Sequence, residues 1–150
     1  GICAALWADW WGFKHEAYDM SIANIAIVDQ ARGGTGCAIV HSDSASGIQR
    51  LNQEAAKALA AGRRAGFDIS EGRAMTWITK NPAKSLGILD QTGTLEQGKD
   101  ADLVIWDGNP FSVYTKAEQV YIDGALTFDK ASNFMPHTDF DLGIKEWEDK

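Results

Sequence analysis

Asn81-Pro82-Ala83-Lys84-Ser85-Leu86-Gly87, followed by Gly93-Thr94-Leu95-Glu96-Gln97-Gly98-Lys99-Asp100-Ala101-Asp102-Leu103-Val104-Ile105-Trp106, is the stretch on which the fold turns. Asn81-Pro82 predicts the end of one helix and the start of another. Proline suits a first helical position because the N–H it lacks would have had no partner there. Gly87 closes that short helix. Beyond it the chain changes character. Residues 101–106 are strand-like, and Asp107-Gly108-Asn109-Pro110 is a turn. Residues 118–122 and 125–128 flank Asp123-Gly124, a pair that tolerates positive φ and predicts a tight hairpin. The stretch thus divides a helical region from a small β unit.

Upstream, Ile2-Cys3-Ala4-Ala5-Leu6 is an apolar run too short to type by period. A polar and aromatic loop follows over residues 7–19. Ser21 is expected to cap a helix from near Ile22, with Ile25, Ile27 and Val28 on its apolar face and Gly33-Gly34-Thr35-Gly36 at its end. Cys37-Ala38-Ile39-Val40 is apolar on both faces, as buried parallel strands are. After a loop over residues 41–47, Ile48, Leu51, Ala55, Ala58 and Leu59 fall at helical spacing, with Gly66 as the stop. Ser70 is a cap for a third helix whose inward stripe is Ala74, Trp77 and Ile78. Helix, buried strand, helix is the order found in a βα barrel. A full barrel takes about 250 residues. A chain of 150 supplies only part of one, so its strands are expected to expose unpaired edges and apolar faces.

The hydrophobic content of 45% with 23% charged residues suits a globular core and excludes disorder. A net charge of -7 argues against nucleic acid or an anionic membrane as partner, because phosphate binding needs concentrated Lys and Arg. No apolar run approaches the ~20 residues of a membrane helix. No secretory pattern stands at Gly1, and a cytoplasmic location is the expectation. The chain starts without Met in an apolar stretch, so an upstream piece carrying any targeting signal is expected to precede it. Cys3 and Cys37 are too few for a disulfide framework and read as buried free thiols.

Val40-His41-Ser42-Asp43-Ser44 places a polar burst directly after the buried strand, where βα-barrel enzymes keep catalytic groups. On these residues alone, Asp43 is either a cap for the following helix or a catalytic carboxylate. His41 precedes it by two, so both could face the same way on extended backbone. Ser42 and Ser44 could orient Asp43 or cap the helix, and no Gly-x-Ser-x-Gly elbow surrounds either. Trp7, Trp10, Trp11, Phe13 and Tyr18, with Lys14 and His15, form an aromatic loop that suits a small-molecule pocket. A lid or subunit contact is the other reading. If residues 2–6 are a strand, this loop opens onto the same face as Asp43. Trp10, Trp11, Lys14, His15 and His41 are the substrate-binding candidates, with Lys14 suited to a carboxylate. Gly33-Gly34-Thr35-Gly36 lacks the Lys-Ser/Thr partner of a phosphate loop and precedes a strand, so it reads as a turn. The surroundings of His137 are too sparse for a metal site.

With Asn81 to Gly87 and Gly93 to Trp106 in hand, the chain resembles the metal-dependent amidohydrolase superfamily, in the branch of imidazolonepropionase and related cyclic-amidase and dipeptidase enzymes. The similarity covers residues 37–130 most clearly. It implies an α/β fold: the C-terminal part of a (β/α)8 TIM barrel over residues 1–86, strands of a small β-sandwich domain over residues 87–130, and a tail over residues 131–150. Lys99-Asp100 and Asp102 resemble the family's turn into the small β domain, a structural feature.

The resemblance also implies chemistry. Asp43 matches the family's aspartate that binds the active-site metal and takes the proton from the activated water. The implied activity is hydrolysis of amide or other non-peptide C–N bonds, dipeptides and cyclic amides included, with zinc or iron as cofactor. His41 is implied to be a neighbour of the site. The family's other ligands have no counterpart among His15, His41 and His137, so the missing N-terminal barrel is the expected partner and the isolated chain is expected to be inactive. A homo-oligomer is a further expectation. The alternative is a noncatalytic fragment or a subunit that completes a site on another chain.

Overall fold

A computed structural model of the chain describes residues 1–132. Expectations for Phe134, Met135, His137, Phe140, Ile144 and Trp147 lie outside the described residues. The first layer is a parallel pair, β1 (Ala4–Leu6) and β2 (Ala38–Val40), in the register Ala4↔Ala38 and Leu6↔Val40. All three residues of β2 are buried, as its apolar run predicts, and Ala5 of β1 is exposed.

The two edges of this pair differ. Along β2, Val40 N–H donates to Trp77 O at 3.1 Å and Ala38 O accepts from the Asn81 carboxamide at 2.7 Å. Buried backbone groups need partners, and residues beyond the sheet supply them here. Cys3 and Cys37 are joined by a disulfide, which corrects the expectation of free thiols. The register puts them side by side just before Ala4 and Ala38, a proximity hidden by their sequence separation of 34.

Between the strands runs α1 (Asn24–Gly34), which starts later than Ser21 implied. The Ser21 hydroxyl accepts only from Ala23 N–H and does not cap the helix. The helical backbone breaks at Ala31, Arg32 and Gly33. Gly36 then passes so close to the preceding turn that a Cβ would lie 1.7 Å from Val28 O. A 3-10 turn over Ile48–Arg50 leads into α2 (Leu51–Arg64). Ala55, Ala58 and Leu59 are buried on the core side, but Ile48 is 59% exposed and leaves the predicted stripe because it precedes the α-helical turns. Helix α3 (Glu71–Met75) has the predicted Ser70 cap, which accepts from Arg73 N–H at 3.1 Å. Helix α4 (Lys80–Leu86) begins before Asn81-Pro82, correcting the position given to Pro82. Proline is tolerated there because the first four helical N–H groups lack intrahelical acceptors. Gly87 ends the helix at φ 76°.

The core joins Ile25 and Ala26 of α1, Ala38 and Val40 of β2, Ala58 and Leu59 of α2, and Trp77. Small residues let the helices approach: a Cβ on Gly62 would lie 2.5 Å from that of Ala26. Inside this core sits a charge. Asp29 is fully buried, and its Oδ1 accepts from Arg73 Nε and Trp77 Nε1, both at 2.8 Å. Its Oδ2 accepts from Gln30 Nε2 at 2.8 Å. Arg73 also reaches Gly36 O, so the carboxylate and guanidinium pin the end of α1 to α3.

The second layer is an antiparallel sheet in the order β3 (Leu103–Trp106), β4 (Ala117–Ile122), β5 (Ala125–Asp129). Asp123 (φ 51°) and Gly124 (φ 76°) form its two-residue hairpin as read from the sequence. The junction residues act structurally. Lys99 Nζ donates to Leu89 O and to the Thr94 hydroxyl, while Asp102 accepts from Asp123 N–H and from the Thr92 hydroxyl. Val104, Ile105, Ile122 and Leu126 are exposed, and none of residues 101–132 is fully buried. Among the described residues, no helix is long and apolar enough to cross a membrane.

Candidate active site

Because β1 and β2 are parallel, their C-terminal ends release two loops on the same edge. His41 N–H donates to Leu6 O at 3.2 Å, carrying the pairing one residue past β2. The next residue after Leu6 is Trp7, and its ring stacks on His41 with centroids 5.3 Å apart. Trp10 stacks on Trp7 at 5.4 Å, and Phe13 presents an edge to both indoles.

The loop is anchored from below. Trp7 O accepts from the Asn24 carboxamide at 3.0 Å, and Asp9 pairs with Lys57 of α2 at 3.0 Å. Partial burial would lower the pKa of Lys57, but Glu54 and Asp9 outweigh it and the ammonium ends above its ordinary value. The Trp7 indole nitrogen is buried and has no hydrogen-bond partner among the described residues.

The loop does not gather all the candidates. Trp10 and His41 join the cluster through Trp7. Lys14 is exposed, with its ammonium 5.2 Å from the Phe13 ring centre. Trp11 turns aside to pair with Tyr18 at 5.9 Å and is 54% exposed. His15 is exposed at the start of a 3-10 turn, His15–Ala17. Trp7, the ring that joins the two loops, is absent from the substrate-binding candidates. Its place in the aromatic loop marks it, and its position directly after the β1 run is the further signal.

Asp43 lies three residues past β2, outside any helix, and is exposed. Neither the 3-10 turn nor α2 has a side-chain cap, so Asp43 is no cap. Its neighbours shape the loop instead. The Ser42 hydroxyl bonds both to Ser44 N–H and to Ser44 O, and the Ser44 hydroxyl accepts from Gly47 N–H. Two open grooves, about 370 and 520 Å³, flank α2, and neither is lined by Asp43 or His41. Among the described residues no three His, Cys, Asp or Glu side chains are grouped to hold a metal ion. Asp43 could supply one oxygen ligand, and a tetrahedral metal centre needs three or four protein donors. These residues by themselves do not fit a complete metal site.

The sequence profile described as the amidohydrolase family matches residues 17–136. The amidohydrolase tasK of Hapsidospora irregularis is 32% identical over 126 residues, which is 83% of this chain and 12% of that protein. The imidazolonepropionase of Brucella anthropi is 49% identical over 55 residues, covering 37% of this chain and 12% of that one. The crystal structure of an amidohydrolase from Thermotoga maritima superposes with a TM-score of 0.63 at 34% identity, over 78% of this chain and 28% of its own. An adenosine deaminase from Xanthomonas campestris with bound zinc shares the fold at a TM-score of 0.58 and 17% identity, over 77% of this chain and 31% of its own. The chain thus spans 12% of the length of these two curated relatives.

Proposed function

The chain belongs to the amidohydrolase family, and on that premise we propose that it forms part of a hydrolase of amide or other non-peptide C–N bonds. Dipeptides and cyclic amides are the substrate classes put forward. The observation that carries this reading is the shared edge. Trp7 on His41 brings the aromatic loop against the loop that bears Asp43. The relatives named as an amidohydrolase and an imidazolonepropionase support the same chemistry.

In this reading β1 and β2 are consecutive strands of a (β/α)8 barrel, and β3 to β5 belong to a small β-sandwich domain. Asp43 accepts the proton of the attacking water and returns it to the departing amine, as a positioned carboxylate can. A divalent ion, zinc or iron, would make that water acidic enough to attack near neutral pH. Its remaining ligands would come from the length of the relatives that this chain does not span. Trp10 and Trp7 wall the substrate, Lys14 meets a carboxylate, and His41 stays a neighbour of Asp43.

The lone carboxylate favours one second reading, a noncatalytic subunit that completes a site on another chain. One experiment separates the two. The 150-residue chain alone is expected to bind Zn2+ no better than a surface carboxylate and to leave N-acyl amino acids and dipeptides intact. A protein of the relatives' length carrying this segment should turn them over, and Asp43→Asn should lower turnover by a factor on the order of 10²–10⁴. Near-normal turnover by that variant removes Asp43 from the mechanism.

A further inference from the structure

We infer that the Cys3–Cys37 disulfide is a redox clasp that holds β1 on β2 and keeps Trp7 on His41, and that the chain works in an oxidising compartment. Strand β1 has three residues, and among the described residues β2 is the strand it pairs with. The disulfide therefore closes one end of the strand pair, beside the Ala4 N–H bond to Cys37 O. The His41 N–H bond and the Trp7–His41 stack close the other. The bond and the ring stack bracket the same three residue pairs.

The cysteine inventory agrees. The chain has two cysteines and both are used, so oxidation leaves no reactive thiol behind. Disulfides persist in secreted and extracytoplasmic settings and are kept reduced in the cytosol, which weighs against the cytoplasmic location expected from the sequence. Formation proceeds by exchange. The Cys3 thiolate attacks a disulfide-bearing oxidant and releases one of its thiols. The Cys37 thiolate then attacks the Cys3 sulfur and releases the second, so two hydrogens and two electrons leave the chain with the reduced oxidant. Cys3, the less buried of the pair, is the sulfur a reductant would reach first. The clasp does not depend on the chemistry at Asp43.

The test uses the full chain, produced by export to an oxidising compartment and alkylated with iodoacetamide without reductant. The expected product carries no label and is lighter than the reduced chain by two hydrogen atoms. Two labelled thiols would overturn the inference. Near-ultraviolet circular dichroism of the oxidised chain should show a coupled-tryptophan band that Trp7→Phe diminishes. Reduction by a phosphine should remove most of that band and lower the melting midpoint on the order of 10 °C, and the double variant Cys3→Ala, Cys37→Ala should match the reduced chain. An unchanged band and midpoint after reduction, or a featureless spectrum in both states, would refute the clasp.

Discussion

Trp7 and His41 stack across the ends of two parallel strands, with ring centroids 5.3 Å apart and planes 28° from each other. Neither residue reaches the other through local sequence. The contact exists because Leu6 and Val40 are in register and each strand is followed at once by a ring. Trp7 stacks on Trp10 as well, with centroids 5.4 Å apart. Aromatic pairs contribute roughly 0.5–1.5 kcal/mol beyond the area they bury. A double-mutant cycle of Trp7→Leu and His41→Leu, followed by urea unfolding, should return a coupling of about 1 kcal/mol. Additive effects would mean that the rings are adjacent without stabilising each other.

Asp29 is the position whose loss should cost most. Asp29→Asn can keep its Oδ1 as the acceptor for Arg73 Nε and Trp77 Nε1, but it removes the charge facing Arg73 and the oxygen that accepts from Gln30 Nε2. Breaking a buried pair costs roughly 3–5 kcal/mol, and the partial exposure of Arg73 places this one at the lower end. Urea denaturation should show a loss of about 3 kcal/mol, and a loss below about 1 kcal/mol would mean that the core accommodates the amide freely.

The Asp107 carboxylate should make the β3–β4 turn sensitive to acid. Lys116 N–H donates to it at 2.8 Å, and Lys130 Nζ lies 3.1 Å away. These two contacts, the backbone one first, hold its pKa below the ordinary carboxylate value. Since the folded pKa is depressed, the stabilisation is fully present above the unfolded value, near 4, and is lost as pH falls through the folded one. The Lys116 amide resonance should therefore shift below about pH 4 in the native chain and stay flat in Asp107→Asn. A parallel shift in both would assign the titration elsewhere.

Ser70 closes the start of α3 and brings Arg73 into place in the same turn. Ser70→Ala should cost about 1 kcal/mol, and Ser70→Asp should recover most of it. Hydrogen exchange of the Arg73 amide reports the cap directly and should quicken in the alanine variant alone.

Where the pattern was local, the sequence was legible. The apolar run before His41 gave β2, Ser70 gave its cap, and Asp123-Gly124 gave the hairpin. Alanines at helical spacing located α2, though Ile48 fell outside the stripe because a 3-10 turn rotates it away. The disulfide and the Asp29 network were hidden for one shared reason. The disulfide and the Asp29 contacts to Arg73 and Trp77 each join residues more than thirty positions apart, and nothing local to Cys3 or Asp29 announces those partners. The site was legible as two loops on one edge. The Trp7–His41 contact joining them was not, since residue type marks which side chains can stack and strand register decides which of them meet.

The two edges of the β1–β2 pair set the terms on which another strand could lie beside it. Along β1, Ala5 is open to solvent, and among the described residues no strand pairs with that edge. Along β2, the Trp77 carbonyl and the Asn81 carboxamide already occupy the backbone positions that such a strand would take. Addition there is an exchange of two hydrogen bonds for two, with little net gain and a displacement to complete first. Addition of a strand at β2 therefore waits on the release of Asn81 and Trp77.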